Sequence, residues 1–269
     1  MVKHLIFALQ FLTIIPIRTS ATINETDIAK SSSAFVIVGL FQGILLIAAD
    51  YISGLVFHTD LVTGIILLVL VLSNGGFHLD GLADTFDAIA IKSSGDSEKD
   101  REKRLAVMKD STIGPIGVIA IVFALAIKYL SLKNLSHFLL FTYYSSLLLM
   151  PVLPKWTMVI SMFYGKPARE EGLGRIFINR ISFKEIAVST LILFLLLMLL
   201  QVFFSHYAPD SQYAFYAVLL VTMYFFCLAW VSFFNRKFGG LNGDTLGAIS
   251  ELTEIFFLLL VLTWSRLFI

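Results

Sequence analysis

Asp80, Asp84 and Asp87 interrupt an otherwise apolar stretch, Ser73 to Ala88, at spacing i, i+4, i+7. On a helix, at ~100° per residue, they fall within about 60° of one another. Three carboxylates in one stripe beside a membrane segment repel one another and lose hydration. They stay ionised when a cation is shared between them, so the spacing predicts a metal site formed by Asp80, Asp84 and Asp87. The competing reading is a polar helix end paired with loop lysines. Hard oxygen ligands, no cysteine and one neighbouring histidine favour Mg²⁺ or Mn²⁺ over Zn²⁺. That histidine, His78, lies roughly opposite the stripe, where hydrogen bonding to a ligand suits it better than ligation. Gly75, Gly76 and Gly81 are expected to let the backbone approach a ligand. Magnesium held by aspartates commonly meets substrate phosphates, so the expected chemistry is phosphoryl transfer on a membrane-bound substrate.

Three further polar clusters break the apolar pattern. The first is K-D-S-T-I-G-P-I-G at 109–117. A helix N-terminus preceded by Lys109 and by Asp110, Ser111 and Gly114 is a ready anion site, with Lys109 to neutralise a phosphate. Capping by Asp110 or Ser111 would explain the same residues, and the two readings are compatible. The second, A-R-E-E-G-L-G-R at 168–175, is an ordinary charged loop apart from its Gly-x-Gly and its two arginines, Arg169 and Arg175. The third, R-K-F-G-G-L-N-G-D-T-L-G at 236–247, enters a helix through glycines and a capping Asp244, with Gly243 and Thr245 beside it. Asp244 and Glu251 share a face, and Glu254 sits a turn further in. Acids inside an apolar span are functional by default, the alternative being a water-paired carboxylate. No G-x-S-x-G elbow, Walker A or dinucleotide-binding pattern occurs.

The elements that must position these groups cross a membrane. The chain has 269 residues, 58% hydrophobic and 14% charged, with mean hydropathy +0.86. Ordinary globular domains sit near ~45–50% apolar and ~25% charged. A net charge of +1 provides no field for nucleic acid. The lone Cys227 lies in an apolar run and reads as packing. At ~20 apolar residues per span, the candidates are Ala34–Phe57, Leu61–Phe77 running on into the aspartate helix to Ile91, Ile113–Leu130, Leu135–Tyr164, Ile186–His206, Tyr213–Phe234 and Gly247–Phe268. The expectation is an all-α polytopic bundle of about seven transmembrane helices, forming a single domain over residues 1–269. His4–Ile17 is too short to span and reads as re-entrant or interfacial, and no cleavage site follows it. Pro151 and Pro154 are expected to kink or break the fourth span. Lysines and arginines crowd the N-terminal segment (Lys3, Arg18, Lys30) and the loops after spans two, four and six. The alternate loops are poor in them, apart from Lys128 and Lys133. The positive-inside rule then predicts a cytoplasmic N-terminus, with every polar cluster on the cytoplasmic side.

The motifs G-G-F-H-L-D-G-L-A-D-T-F-D-A (75–88), K-D-S-T-I-G-P-I-G-V (109–118), R-E-E-G-L-G (169–174) and G-G-L-N-G-D-T-L-G-A-I-S-E-L-T-E (239–254), with A-L-Q-F-L-T-I-I-P-I at 8–17, resemble the signatures of the cobalamin synthases, the adenosylcobinamide-GDP ribazoletransferases. They run in family order over almost the whole chain. The family commonly has Arg where Ile14 and Lys109 stand, and Thr where Asn242 stands. The resemblance implies a transferase of phosphorus-containing groups in vitamin B12 biosynthesis, in a bacterial or archaeal cell (inner) membrane, its site facing the cytoplasm. Adenosylcobinamide-GDP would donate cobinamide phosphate to the 5′-hydroxyl of α-ribazole, or to α-ribazole 5′-phosphate, releasing GMP. Asp80, Asp84 and Asp87 would hold Mg²⁺ across the pyrophosphate. Asp87 is the first choice for taking the hydroxyl proton, and Asp244 would complete the metal site or serve as that base. Lys109, Arg169 and Arg175 would neutralise phosphates. A CDP-alcohol phosphotransferase and a UbiA-type prenyltransferase use differently spaced aspartates. A transporter would want polar groups on both sides of the membrane.

Overall fold

The computed structural model describes residues 2–17, 24–110, 112–169, 172–203 and 211–268. Arg18, Ser111, Glu170 and Glu171 lie outside these ranges. Twelve helices follow one another among the described residues: α1 (Val2–Leu12), α2 (Glu25–Ser31), α3 (Phe35–Gly54), α4 (Thr59–Ser73), α5 (Phe77–Ile89), α6 (Ser97–Val107), α7 (Pro115–Leu135), α8 (Leu140–Tyr164), α9 (Leu173–Phe177), α10 (Phe183–Phe203), α11 (Ser211–Phe238) and α12 (Gly243–Phe268). There are no strands among them, as the apolar run lengths predict. Six stretches are long and apolar enough to cross a membrane, and the pair α4 and α5, taken as one span, makes a seventh. The 11-residue α1 is too short to cross, as expected.

Helix α8 forms the centre, buried along almost its whole length. Lipid-embedded helices gain no hydrophobic energy by pairing with one another, so close backbone packing does the work. Gly39 and Gly43 supply it on α3. A Cβ on Gly39 would lie 2.6 Å from the Pro151 carbonyl oxygen, and one on Gly43 2.5 Å from that of Leu148. Pro151 and Pro154 leave α8 a continuous 25-residue helix, not a pair of short ones. The packed neighbours and hydroxyls, among them Thr157 donating to the Pro154 carbonyl at 3.0 Å, accommodate what the prolines disrupt.

The second predicted span does not run straight into the aspartate helix. The axis turns by 85° between α4 and α5. The Gly75 amide bonds back to Leu72 at 3.1 Å and the Gly76 amide to Val71 at 3.0 Å, closing α4 in a Schellman motif. Both glycines have positive φ, 67° and 74°, which a Cβ would strain. Gly75 and Gly76 therefore make the corner that swings α5 across the bundle.

Lys128 is not a loop residue. It sits within α7, 1% exposed, bonded to Glu251 of α12 at 2.5 Å and to Glu254. Of the two lysines that disturbed the loop-charge pattern only Lys133 remains near a helix end, paired with Asp60 at 2.7 Å.

Candidate active site

Asp80, Asp84 and Asp87 all fall on α5, as the spacing predicts. Asp80 is exposed, and Asp84 and Asp87 are half-buried. α12 crosses α5 at backbone distance: a Cβ on Gly81 would lie 2.7 Å from the Asp244 carbonyl oxygen and 2.9 Å from its Cα. Gly81 thus serves a helix crossing. The crossing brings Asp244, half-buried at the start of α12, beside the stripe, and Asp84 lies in electrostatic reach of Asp244, Asp80, Asp87 and the Arg169 guanidinium.

Asp87 has partners of its own. Its two carboxylate oxygens accept from the backbone amides of Gly114 (2.7 Å) and Gly117 (2.8 Å). Gly114 is the N-cap position of α7 and has no side chain to cap with, and Pro115 follows it. A carboxylate from another helix fills that role. A Cβ on Gly117 would overlap this carboxylate. The α7 N-terminus, anticipated as an anion site, holds an anion that belongs to the protein.

The loop readings change in detail. Asn242, not Asp244, caps α12: its Oδ1 accepts from the Thr245 amide at 2.9 Å, and the Thr245 hydroxyl accepts from the Asn242 amide at 2.8 Å. Its side-chain amide donates to Asp244 at 2.8 Å, holding the carboxylate from behind. The Asn-x-x-Thr spacing is the sequence signal for this cap. Asp110 closes its own turn, accepting from the amide (3.0 Å) and hydroxyl (2.7 Å) of Thr112. These bonds hold its carboxyl below the usual range. Lys109 is exposed beside it. His78 is buried, with Nδ1 3.2 Å from Ser250 Oγ and 3.4 Å from Asn74 Nδ2, so its hydrogen-bond partners are neutral groups, and the charges in its electrostatic reach are Lys155 and Lys128 and not the aspartates.

The loop carrying Arg169 is zipped to the loop entering α12. The Leu241 amide donates to Lys166 (2.6 Å) and the Ala168 amide to Leu241 (2.8 Å). Helix α6 braces the pair from outside: Arg101 bonds the Ala168 carbonyl at 3.4 Å, and Arg169 itself donates to the Leu105 carbonyl. The buried Arg169 Nε has no hydrogen-bond acceptor, while the guanidinium lies in electrostatic reach of Asp244 and Asp84. Arg169, Gly174, Arg175, Asn242, Gly243 and Asp244 line a cavity of about 220 Å³ at the mouth of α12.

Among the described residues no three carboxylate or imidazole groups already converge at ligand distances. Magnesium does not need such a cage, because it takes one or two carboxylates and completes its octahedron with water and substrate phosphate. The hard-oxygen pair Asp80 and Asp84, with Asp244 beside it, fits that requirement. A carboxylate and guanidinium groups around one cavity together suit the binding and cleavage of a phosphate anhydride.

A family model described as cobalamin-5-phosphate synthase matches residues 4–262. The adenosylcobinamide-GDP ribazoletransferase of Thermodesulfovibrio yellowstonii is 35% identical over 272 residues, covering 100% of this chain and 99% of its own. That of Geotalea daltonii is 36% identical over 258 residues, covering 95% of each. No solved structure matches the chain.

Proposed function

Because the chain belongs to the cobalamin-5-phosphate synthase family, we propose that it is a magnesium-dependent, membrane-embedded adenosylcobinamide-GDP ribazoletransferase whose site is built where α5 crosses α12. A ribose hydroxyl of α-ribazole, or of α-ribazole 5′-phosphate, attacks the cobinamide-side phosphorus of the pyrophosphate. A P–O bond forms, the bond to GMP breaks, and the hydroxyl proton passes to a carboxylate. An acceptor already phosphorylated at its 5′ position reacts through another hydroxyl. The observation that carries this reading is the crossing at Gly81, which brings Asp244 beside Asp84 and Asp80 with Arg169 in electrostatic reach.

Asp80 and Asp84 would hold Mg²⁺. Bound there, the ion would neutralise the pyrophosphate and stabilise the leaving phosphate. Asp244, steadied by Asn242, takes the hydroxyl proton. Asp87, with both oxygens on α7 amides, anchors the stripe. Arg169 and Arg175, with the N-terminus of α12, receive the GMP phosphate in the cavity beside Asp244. Lys109, exposed near the α7 entry, attracts the anionic substrate from solvent. The distribution of lysine and arginine, cleaner once Lys128 leaves the loops, supports a cytoplasmic orientation of these groups, where nucleotide-linked substrates are made.

The test is purified protein incubated with adenosylcobinamide-GDP, either acceptor and Mg²⁺, with an EDTA control. Magnesium-dependent GMP release matched by corrinoid product is expected, and Asp84→Asn should lower turnover by about 100-fold or more while the protein stays folded. Folded wild-type protein that releases no GMP with either acceptor would overturn the assignment. Unimpaired Asp84→Asn would remove that aspartate from the mechanism.

A further inference from the structure

The most heavily charged buried cluster outside the site is Lys128, Glu251 and Glu254, 1%, 2% and 0% exposed. It belongs to no step described so far. Lys128 bonds both carboxylates. Lys155 on α8, also 1% exposed, lies in electrostatic reach of both and brings the cluster's formal charge to neutrality. Breaking such a buried set strands a charge, so its geometry is strongly enforced.

α7 is common to both helices that carry the site. At its N-terminus the Gly114 and Gly117 amides grip Asp87 of α5. Further along, Lys128 grips α12, the helix that begins with Asp244. Apolar helix faces in lipid slide past one another with little penalty, because the solvent around them is equally apolar. A cation shared by carboxylates at i and i+3 cannot slide. A shift by one turn, ~5.4 Å, or a rotation by one residue, ~100°, would pull one carboxylate away.

We propose that Lys128, with Glu251 and Glu254, is a positioning residue for the transfer reaction: it pins the register of α12 on α7, and so places Asp244 against the α5 aspartates. The proposal rests on the reading of Asp244 given above, while the register itself is measurable without turnover.

The experiment uses the full-length protein carrying nitroxide labels at Val122→Cys on α7 and Leu259→Cys on α12. Both positions face outward, at 57% and 44% exposure, and the natural Cys227 is fully buried. The variant K128Q/E251Q/E254Q keeps polar side chains and removes the charges. The label-to-label distance distribution should shift or broaden by several ångströms. The kcat for GMP release should fall tenfold or more, with KM for adenosylcobinamide-GDP within about threefold. A distance distribution and kcat equal to wild type would overturn the proposal, as would a lowered Tm with both unchanged. If the triple variant does not fold, E254Q retains the Lys128–Glu251 pair and reads the same distance, and an unchanged distribution with unchanged kcat overturns the proposal. Inactive wild-type protein whose label distance still depends on Lys128 would refute the assigned reaction and leave the pin standing.

Discussion

Replacing Gly81 with alanine adds one methyl group where α5 and α12 touch backbone to backbone. The new Cβ would sit 2.7 Å from the Asp244 carbonyl oxygen and 2.9 Å from its Cα. Ordinary contact needs about 3.5 Å, so the helices must part by roughly 0.8 Å. Neither obstacle is a flexible side-chain tip, so the strain falls on the crossing and costs about 1–3 kcal/mol. Removing a helical glycine returns about 0.5–1 kcal/mol. The net loss of stability is therefore about 0–2.5 kcal/mol, and the displacement separates Asp244 from Asp84. A misplacement near 1 Å costs up to about 100-fold in rate, so a loss of roughly 10- to 100-fold in kcat is expected. Gly64 on α4 is the control, because a Cβ there meets nothing within 4 Å. Gly64→Ala should leave turnover unchanged and Tm equal or slightly higher. The assay is GMP release by both variants in detergent, normalised to folded protein. Gly81→Ala with wild-type turnover would show that the α5–α12 crossing does not set the reacting geometry.

Asp87→Asn exchanges one carboxylate oxygen for an amide group that cannot accept from the α7 backbone. It should lower stability by about 1–2 kcal/mol, visible as a lower Tm, and an unchanged Tm would contradict the capping role. Asp100, outside the membrane spans, accepts from the Ser93 hydroxyl (2.5 Å) and from the Ser94 hydroxyl (2.7 Å) and amide (2.8 Å). These bonds hold its carboxyl down to about 2. The unfolded value is ~3.9, so the stabilisation is complete above about pH 4 and is lost as pH falls toward about 2. Pepsin should cut the α6 segment faster at pH 2 than at pH 4, and Asp100→Asn should be cut fast at both. Equal rates in the wild type would refute the assignment.

Periodicity and charge reach as far as local structure does. The stripe on α5, the apolar spans and the glycine-rich helix entry are set by spacings of a few residues, and all three are present as expected. What spacing cannot report is which distant group occupies an apparent site. Asp87 meets amides 27 and 30 residues away, and Lys128 meets carboxylates 123 and 126 residues away. A lysine near the end of an apolar run is indistinguishable from a loop lysine until α12 is packed against it. The prolines mislead for the same reason, since whether a helix breaks depends on its neighbours. The corner at Gly75 and Gly76 was open to being read, because consecutive glycines after an apolar helix are a stop signal. Beside Asp80 the same glycines also suit the approach of a ligand, and spacing alone does not separate the two roles.

Helix N-termini attract any phosphate in the cell, and α7 opens close to the reacting groups. With Asp87 lodged there, that entrance already holds a tethered anion at an effective concentration no free solute matches. Orthophosphate and stray nucleotides find it taken. The Asp87 carboxylate therefore acts as a built-in competitor for the α7 amides. On the reaction proposed above, the phosphate is then left the cavity beside Asp244 and not the entrance to α7.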